Sequence, residues 1–358
     1  MRYSTCINIG NRTISAESPS YFIADIGANH DGDLNRAKDL IWLAKDAGAD
    51  CAKFQHFRAK DIVSDTGFKN LSGSQSHQSQ WKKSVYQIYK EYECKEIWTE
   101  ELISTCHDAE IDFMTTPYDI DAIKFFANKV PGFKIGSGDI TWLASVELMA
   151  KQNLPILLAT GASDITDVER AVSAVLENNT DIILMQCNTN YTADLENYKY
   201  INLKVLSSFA LHWPGMLLGL SDHTFGHSTV LGAIALGARV IEKHFSDDNS
   251  RPGPDHKFAM NSETWREMVL RSRELELALG DGIKRIEANE YETSVIQRRA
   301  ICARFKLNAG DVLTKENLHS LRPCPEDGIP PYKINSLLGK RLLCDKISGA
   351  HISWMDVE

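Results

Sequence analysis

Short apolar runs that end in polar residues recur along most of the chain, and segments with helical periodicity separate them. After the first run, residues 21–26, the apolar residues Ala37, Leu40, Ile41 and Ala44 follow the spacing of one helix face. Strands that alternate with helices favour parallel pairing with right-handed crossovers. Eight such units predict an α/β fold, a closed (β/α)8 TIM barrel rather than an open sheet. The predicted strands are 21–26, 51–55, 112–116, 132–135, 155–159, 182–186, 219–223 and 240–244.

Two segments depart from this alternation. Residues 1–19 have the apolar spacing and central turn residues of a short hairpin. Residues 57–96 form a long insertion after the second predicted strand, and their central stretch is polar and loop-like. Because active-site loops of a barrel follow the strands, this insertion is interpreted either as an active-site loop or as a surface insertion without function.

The pattern changes near the carboxyl terminus. A charged, weakly apolar linker is predicted at 284–297, after a barrel domain of residues 1–283. Residues 298–358 carry short strand-like runs interrupted by Gly and Pro, which predicts a small β-rich domain. About sixty residues bury little core, so this domain is expected to pack on the barrel or on a partner subunit.

The composition of the chain argues against some classes of function. The 358 residues are 43% hydrophobic and 24% charged, as in ordinary globular proteins, and the net charge is −9. This charge argues against a general nucleic-acid or membrane-surface binder, although a local basic pocket is compatible with it. The first ten residues lack an apolar signal core, and the eight cysteines form no CxxC pair. The expected location is the cytoplasm.

Two histidines at neighbouring predicted strand ends form a candidate metal pair. His223 ends the seventh run and His244 the eighth, and strand alternation places Ser221 and Glu242 on the same faces. Two imidazoles at such positions suit a divalent metal, but the spacing alone is more typical of structural histidines in loops. His227 is excluded as a helical partner of His223 because Gly226 and a new helix start lie between them.

Two strand lysines, Lys53 and Lys134, indicate a site for an anion. A buried lysine is costly unless it meets a negative charge, so this pair beside hydroxyl groups predicts a phosphate or carboxylate pocket. Alternatively, each lysine is a solvated strand end. Cys187 is interpreted as a small buried hydrophobe, and His256 as either structural or a substrate contact. Further polar candidates at the predicted strand ends are Asp25, Gln55, Thr116, Ser137, Asp139, Thr189, Tyr191 and Asp255.

Seven segments in this order resemble the sialic acid synthase family. They are residues 23–30 (IADIGANH), 53–55 (KFQ), 115–118 (TTPY), 134–138 (KIGSG), 219–224 (GLSDHT), 241–245 (IEKHF) and 252–256 (PGPDH). Residues 298–358 resemble the antifreeze-like (SAF, β-clip) domain appended to that family. The resemblance implies an enzyme that condenses phosphoenolpyruvate with an N-acylated hexosamine, such as N-acetylmannosamine or a 2,4-diacetamido-trideoxy hexose, to give a nonulosonic acid.

The resemblance also implies roles for individual residues. His223 and His244 would bind a divalent metal, most commonly Mn²⁺, with Mg²⁺ or Co²⁺ as alternatives. Arg322 would reach the N-acyl group in the other subunit of a domain-swapped homodimer, and Asp255 would contact a sugar hydroxyl. The candidate catalytic residues are Asp25, Asp139, Lys53 and Lys134. The candidate phosphoenolpyruvate ligands are Lys53, Lys134, Thr116, Ser137, Thr189, Tyr191 and Ser221, and Gln55 and Glu242 complete the substrate-binding set.

Asp25 and Asp139 depart from the family pattern, which commonly has Glu at both positions. Each replacement shortens the side chain by about 1.5 Å, so the backbone, a water or a different substrate must compensate. Two alternatives follow. A 3-deoxy-ulosonate synthase acting on a phosphorylated sugar would need more arginines than Arg58 and Arg251 near the strand ends. A sugar-binding homologue without activity is disfavoured by the retained histidines and lysines.

Overall fold

The computed structural model describes residues 3–71, 78, 81–192 and 194–358. Their contacts divide the chain into two compact units, Met1–Gly280 and Asp281–Glu358. The first unit begins with a hairpin of β1 (Cys6–Ile9) and β2 (Arg12–Ser15), paired antiparallel as the sequence predicts. Among the described residues, no helix has the length and apolar character that crossing a membrane requires.

Eight parallel strands of the described chain close into a barrel, which confirms the predicted fold class. Their side chains are almost all buried, because the pore-facing side and the helix-facing side of each strand are both covered. The strand that closes the ring pairs with the first one, which removes both sheet edges. The barrel strands are β3 (Tyr21–Asp25), β4 (Cys51–His56), β5 (Asp112–Pro117), β6 (Phe133–Ile135), β7 (Ile156–Ala159), β8 (Ile182–Cys187), β9 (Leu217–Asp222) and β10 (Ala238–His244).

Helices cover the outside of the barrel. The first, α1, buries the four residues predicted from their spacing, and Asp33 caps it by accepting hydrogen bonds from two backbone amides of the first turn. The helices of this unit are α1 (Leu34–Asp46), α2 (Ala59–Ile62), α3 (Asp65–Asn70), α4 (Val85–Glu91), α5 (Thr99–Asp108), α6 (Ile120–Phe126), α7 (Leu143–Ala150), α8 (Ile165–Leu176), α9 (Val205–His212), α10 (Ser228–Ala235) and α11 (Ser262–Leu279).

The apolar core of the first unit has two layers. One layer lies between the strands and the surrounding helices and includes Phe22, Phe54 and Trp265. The other lies inside the barrel, where Ile7 and Ile14 of the hairpin pack with the inward-facing apolar residues of the strands. The hairpin therefore closes the end of the barrel at which the strands begin. The opposite end, where the strands finish, carries the polar residues.

The insertion at 57–96 contains short helices on both sides of the central stretch that was predicted to be loop-like. Helices α2, α3 and α4 all lie within it, and a capping box formed by Ser84 and Gln87 starts α4. A Cβ on Gly32 would lie 3.2 Å from the carbonyl oxygen of Glu91, which shows how closely α4 packs on the loop after β3. Part of the predicted polar stretch, residues 72–77, 79 and 80, lies outside the described residues.

The second unit contains α12 (Tyr291–Gln297), which occupies part of the predicted linker. A two-stranded antiparallel sheet follows, formed by β11 (Ala300–Ala303) and β12 (Leu318–Leu321). Isolated bridges such as Leu307–Lys346 and Val312–Arg341 extend the β structure. A separate apolar cluster of Ile301, Leu313, Leu337 and other residues forms its core.

Candidate active site at the carboxyl ends of the barrel strands

A buried carboxylate and a buried ammonium group meet at the ends of β3 and β4. The ladder register pairs Asp25 with Lys53, and the Lys53 Nζ lies 2.8 Å from the Asp25 Oδ2. The same oxygen accepts a hydrogen bond from the Gln55 side-chain amide at 2.8 Å. Burial alone would raise the pKa of Asp25, but the charges of Lys53 and His244 lower it to about 2. The shorter side chain of Asp25 thus still contacts Lys53 and Gln55 directly.

Glu242 joins the two predicted anion-site lysines. Its Oε1 lies 3.6 Å from the Lys53 Nζ, and its Oε2 lies 3.4 Å from the Lys134 Nζ. The second contact is an ion pair without hydrogen-bond geometry, because this Oε2 has no hydrogen-bond partner among the described residues. Lys53 also donates to the Thr116 hydroxyl at 3.3 Å. Both lysines are therefore buried and balanced by carboxylates, which excludes the alternative of solvated strand ends.

His223 and His244 lie side by side, with ring centroids 5.5 Å apart. His244 ends β10, whereas His223 lies one residue beyond β9. The Nδ1 of His223 must donate to the Asn188 carbonyl at 2.9 Å, which leaves its Nε2 as an acceptor. The Nδ1 of His244 has no hydrogen-bond partner among the described residues, and burial lowers the pKa of this imidazole. Contact with Cys187 outweighs burial and raises the pKa of His223. In their neutral forms, the two adjacent imidazoles suit a divalent metal.

The protein offers few further metal ligands. Within the described parts of the chain, no group of three or more His, Cys, Asp or Glu side chains is arranged to hold an ion. His227 precedes α10 at the N-cap position and makes no side-chain cap hydrogen bond, as expected of a loop residue. A metal on His223 and His244 would need its remaining ligands from substrate and water.

Hydroxyl groups converge on a tight corner beside Gly161. Its backbone amide donates to the Ser137 Oγ at 2.9 Å. A Cβ on Gly161 would lie 2.6 Å from the Thr189 Cγ2, 2.9 Å from the Ser137 Oγ and 3.1 Å from the Cys187 Sγ. The ladder register places Ser221 opposite both Cys187 and Glu242. The predicted residues Ser137, Thr189 and Ser221 therefore lie on neighbouring strand ends with the lysines.

Cys187 was predicted to be an inert buried hydrophobe, and its surroundings differ from that expectation. Burial raises the pKa of its thiol, but contacts with His223 and Ser137 outweigh burial and lower the pKa overall. The sequence did not reveal this neighbour because His223 belongs to the next strand, 36 positions further along.

Asp139 lies in a short 3-10 turn, Ser137–Asp139, after β6. Burial raises the pKa of its carboxyl group to about 6. Tyr118 and Tyr89 are near enough that the charge of Asp139 contributes, after burial, to raising the pKa of each phenol. Asp139 can therefore hold a proton close to neutral pH, unlike Asp25.

Asp255 approaches the histidines from the loop after β10. Its Oδ2 accepts a hydrogen bond from the Ala28 amide at 3.0 Å and lies 3.6 Å from the His244 Nδ1. The following residue, His256, is fully buried and bonds the Asp31 carboxylate at 2.9 Å. Of its two interpretations, the structural one fits this environment.

A cavity of about 150 Å³ opens above these residues. The insertion provides one of its walls, which favours the active-site interpretation of this segment over the surface one. Sequence reasoning missed the aromatic residues of the wall, although the capping box before Ile88 and Tyr89 could have indicated the helix that carries them. The lining residues are Ala28, Gln55, Phe57, Gln78, Trp81, Ile88, Tyr89, Tyr92, Tyr118, Tyr191, His244, Pro254 and Asp255.

Arg322 belongs to the second unit. It follows β12 and is joined to Pro323 by a cis peptide bond. In the single chain, its side chain is exposed to solvent. Its predicted contact with an N-acyl group of the other subunit stays a prediction.

Buried lysines and carboxylates around two imidazoles, at the carboxyl ends of a closed parallel barrel, are arranged as in the active site of a barrel enzyme. The chain belongs to the NeuB family, whose model matches residues 40–284, and the SAF domain model matches residues 298–358. The resemblance inferred from the sequence and the prediction of an enzyme of the synthase class are both confirmed.

Relatives of known product are similar over nearly the whole chain. N,N'-diacetyllegionaminic acid synthase from Legionella pneumophila is 34% identical over 360 residues, which cover 97% of this chain and 99% of that protein. N-acetylneuraminate-9-phosphate synthase from Homo sapiens is 30% identical and covers 93% of this chain and 91% of its own length. The crystal structure of spore coat polysaccharide biosynthesis protein spsE from Bacillus subtilis matches with a TM-score of 0.65 at 29% identity and covers 99% of each chain.

Proposed function

We propose that the protein condenses phosphoenolpyruvate with an N-acylated hexosamine to give a nine-carbon nonulosonic acid, with release of phosphate by C–O cleavage. The observation that carries this proposal is the pair of buried lysines, Lys53 and Lys134, inside a NeuB-family barrel and close to the cavity that Gln55 and His244 line. Ammonium groups in such a setting suit the phosphate and carboxylate of phosphoenolpyruvate. Hydroxyl groups surround the same anion, and they come from Ser137, Thr116, Ser221, Thr189 and Tyr191.

The charge balance of the site supports a metal. The two lysines face the carboxylates of Asp25 and Glu242, and Asp255 adds a further carboxylate beside His244, so the carboxylates outnumber the lysines before substrate arrives. A multiply charged anion needs additional positive charge in such a site. His223 and His244 would hold a divalent cation, with Mn²⁺ as the first candidate and Mg²⁺ or Co²⁺ as alternatives. When bound, the ion supplies Lewis-acid polarisation of the sugar aldehyde.

The chain's own residues then have distinct tasks in the reaction. C3 of phosphoenolpyruvate attacks the aldehyde carbon, which leaves a cationic centre at C2, and water adds there before phosphate departs. Asp25, fixed by Lys53 and Gln55, presents a carboxylate suited to stabilise that cation. Asp139 can hold or accept a proton near neutral pH, and Asp255 faces the hydroxyl groups of the sugar.

Arg322 and the oligomeric state complete the proposal. We expect Arg322 to bind the N-acyl group of the sugar in the barrel of the partner subunit, in a domain-swapped homodimer. The eight cysteines are all free, which supports a reducing compartment, the cytoplasm.

The alternative of a 3-deoxy-ulosonate synthase gains no support from the site. Arg58 lies 2.8 Å from an Asp119 oxygen, and Arg251 lies 2.7 Å from an Asp31 oxygen. Both arginines that could hold a second phosphate are thus already paired with carboxylates.

The test is phosphate release by the purified protein with Mn²⁺, phosphoenolpyruvate and candidate sugars. Phosphate should appear only when an N-acylated hexosamine is present, together with a nonulosonic acid detected by mass spectrometry. With ¹⁸O in the C–O–P bridge of phosphoenolpyruvate, C–O cleavage places the label in the released phosphate. Absence of sugar-dependent phosphate release, or label retained in the sugar acid, would contradict the proposal.

A further inference from the structure

The two candidate metal histidines differ in what orients their rings. The Nδ1 of His223 is held by the Asn188 carbonyl at 2.9 Å. The Nδ1 of His244 has no hydrogen-bond partner among the described residues, and the 3.5 Å between its Nε2 and the Asp25 Oδ2 is too long for a strong hydrogen bond. A metal-binding histidine is usually oriented by a hydrogen bond from its second nitrogen. The His244 ring therefore depends on contacts of another kind.

Four aromatic rings, those of Tyr191, His223, His244 and Phe258, form a cluster. The Phe258 ring centroid lies 4.9 Å from that of His244 and 5.8 Å from that of His223, with interplanar angles of 71° and 76°. The Tyr191 centroid lies 4.3 Å from that of His223 and 5.4 Å from that of Phe258. Edge-to-face packing is a favourable arrangement of aromatic rings. Phe258 is thus in edge contact with both imidazoles.

Phe258 contacts the histidines from outside the cavity. It is 2% exposed and is absent from the described residues that line the cavity, whereas His244 and Tyr191 line it. A ligand in the cavity therefore has Tyr191 within reach but not Phe258. On another edge of the His244 ring, a Cβ at Gly27 would lie 3.1 Å from the Cε1 and the Nδ1. The His244 ring is thus confined by van der Waals contacts rather than by hydrogen bonds.

The loop backbone on both sides of Phe258 is fixed by hydrogen bonds. The Asn249 side-chain amide donates at 2.8 Å to the carbonyl two residues before Phe258 and at 2.7 Å to the carbonyl of the residue after it. The Met260 backbone amide then donates to the His244 carbonyl at 2.8 Å. Because these bonds hold the chain before and after Phe258, its ring has little freedom to leave the histidines.

We propose that Phe258 is a positioning residue for the metal site. Its ring, anchored through Asn249, holds the His244 imidazole in the orientation in which this imidazole and that of His223 bind one divalent ion. Aromatic packing on His244 takes the place of the hydrogen bond that orients His223. This inference rests on the proposed metal site and adds a residue on which that site depends.

The experiment measures the binding of Mn²⁺ alone to the purified protein by calorimetry. Phe258→Leu keeps an apolar side chain but removes the ring edge, and it should weaken Mn²⁺ binding by about 10- to 100-fold, as the loss of a ligand-orienting contact does. The d–d absorption bands of the Co²⁺-loaded variant should also differ from those of the wild type, because the ligand geometry around the ion changes. Asn249→Leu leaves the ring in place but removes both donors, so it should weaken Mn²⁺ binding to a smaller extent.

Phe126→Leu is the matched control. Phe126 is 1% exposed and packs against Phe113 and Phe125, with ring centroids 6.4 and 4.9 Å apart, in the layer between strands and helices. Loss of this buried ring should lower the Tm, yet the Mn²⁺ affinity and the Co²⁺ bands should stay as in the wild type.

Wild-type Mn²⁺ affinity and Co²⁺ bands in Phe258→Leu would overturn the inference, and so would an equal loss of affinity in Phe126→Leu. If the wild-type protein binds neither ion, the proposed metal site itself is wrong, and the inference falls with it. Should Phe258→Leu not fold, Asn249→Leu decides the question, since an unchanged Mn²⁺ affinity in that variant would contradict the anchoring of Phe258.

Discussion

Removing one partner of a buried ion pair behind the two histidines is predicted to destabilise the barrel strongly. Asp222 precedes His223 and Lys243 precedes His244, and the Lys243 Nζ lies 2.5 Å from the Asp222 Oδ2. Both side chains are 1% exposed. Because alternation turns them away from the pore, they connect β9 and β10 from the side opposite the site.

The magnitude follows from what each substitution leaves unpaired. In Lys243→Met, Asp222 keeps only the hydroxyls of Thr224 and Thr229, at 2.8 and 2.7 Å, as hydrogen-bond donors to its Oδ2. Burial opposes the charge of Asp222, and Lys243 is the main group that lowers its pKa. Removing one partner of a buried pair costs about 3–5 kcal/mol. For the first unit, Met1–Gly280, an unfolding entropy of about 2.1 cal/mol/K per residue converts this loss into a fall in Tm of about 5–9 °C.

The assay is a double-mutant cycle of Lys243→Met, Asp222→Asn and both together, with unfolding followed by circular dichroism in heat and urea. The double variant, which leaves no buried charge, should be at least about 2 kcal/mol more stable than the sum of the single losses implies. Arg271→Met is the matched control, since its 2.7 Å pair with Glu274 is exposed and should leave Tm unchanged. A single-variant loss below about 1 kcal/mol, or strict additivity, would refute the reasoning.

Three further predictions concern the site. Because burial raises the pKa of Asp139 to about 6 from 3.8, its ionisation penalises the folded state, so the stabilising effect present below pH 4 is lost as the pH rises through 6. As the pH rises through this range, the free energy of unfolding of Asp139→Asn, measured in urea, should therefore increase relative to that of the wild type by at most about 3 kcal/mol. A difference between the two proteins that does not change with pH would contradict the assignment. His244→Ala should abolish tight Mn²⁺ binding in calorimetry and lower kcat, whereas full wild-type activity in chelator would exclude the metal role. Gly161→Ala should raise the KM for phosphoenolpyruvate, because its Cβ would lie 2.9 Å from the Ser137 Oγ and 2.6 Å from the Thr189 Cγ2; an unchanged KM would show that the anion binds elsewhere.

The sequence predicts those features that depend on local alternation. Lys53 was placed correctly on an inward-facing position of its strand, and His244 at the end of its strand, because a strand turns every second side chain inward, whatever the rest of the fold does. Their ion pairs were not predicted, since Asp25 and Glu242 come from other strands and the ladder register decides which residues meet.

The insertion shows the limit of such reasoning. The loop-like prediction concerned only its polar central stretch, and no helix was predicted at Ile88 and Tyr89, which lie on a capped helix that packs against the loops after β3 and β10. Tertiary contacts of this kind override weak local propensity. Likewise, Cys187 was assigned without its partner because His223 reaches it only after the barrel closes.

The hairpin fills the end of the barrel at which the strands begin, and this determines from which end ligands reach the site. Ile7 and Ile14 occupy the pore beneath the strand ends, so ligands reach Lys53 and Lys134 from the cavity side. A molecule seated on those lysines lies deeper than one held against the insertion wall. If the proposed condensation is correct, we expect ordered loading, in which the small anion binds before the sugar and phosphate leaves after the new acid.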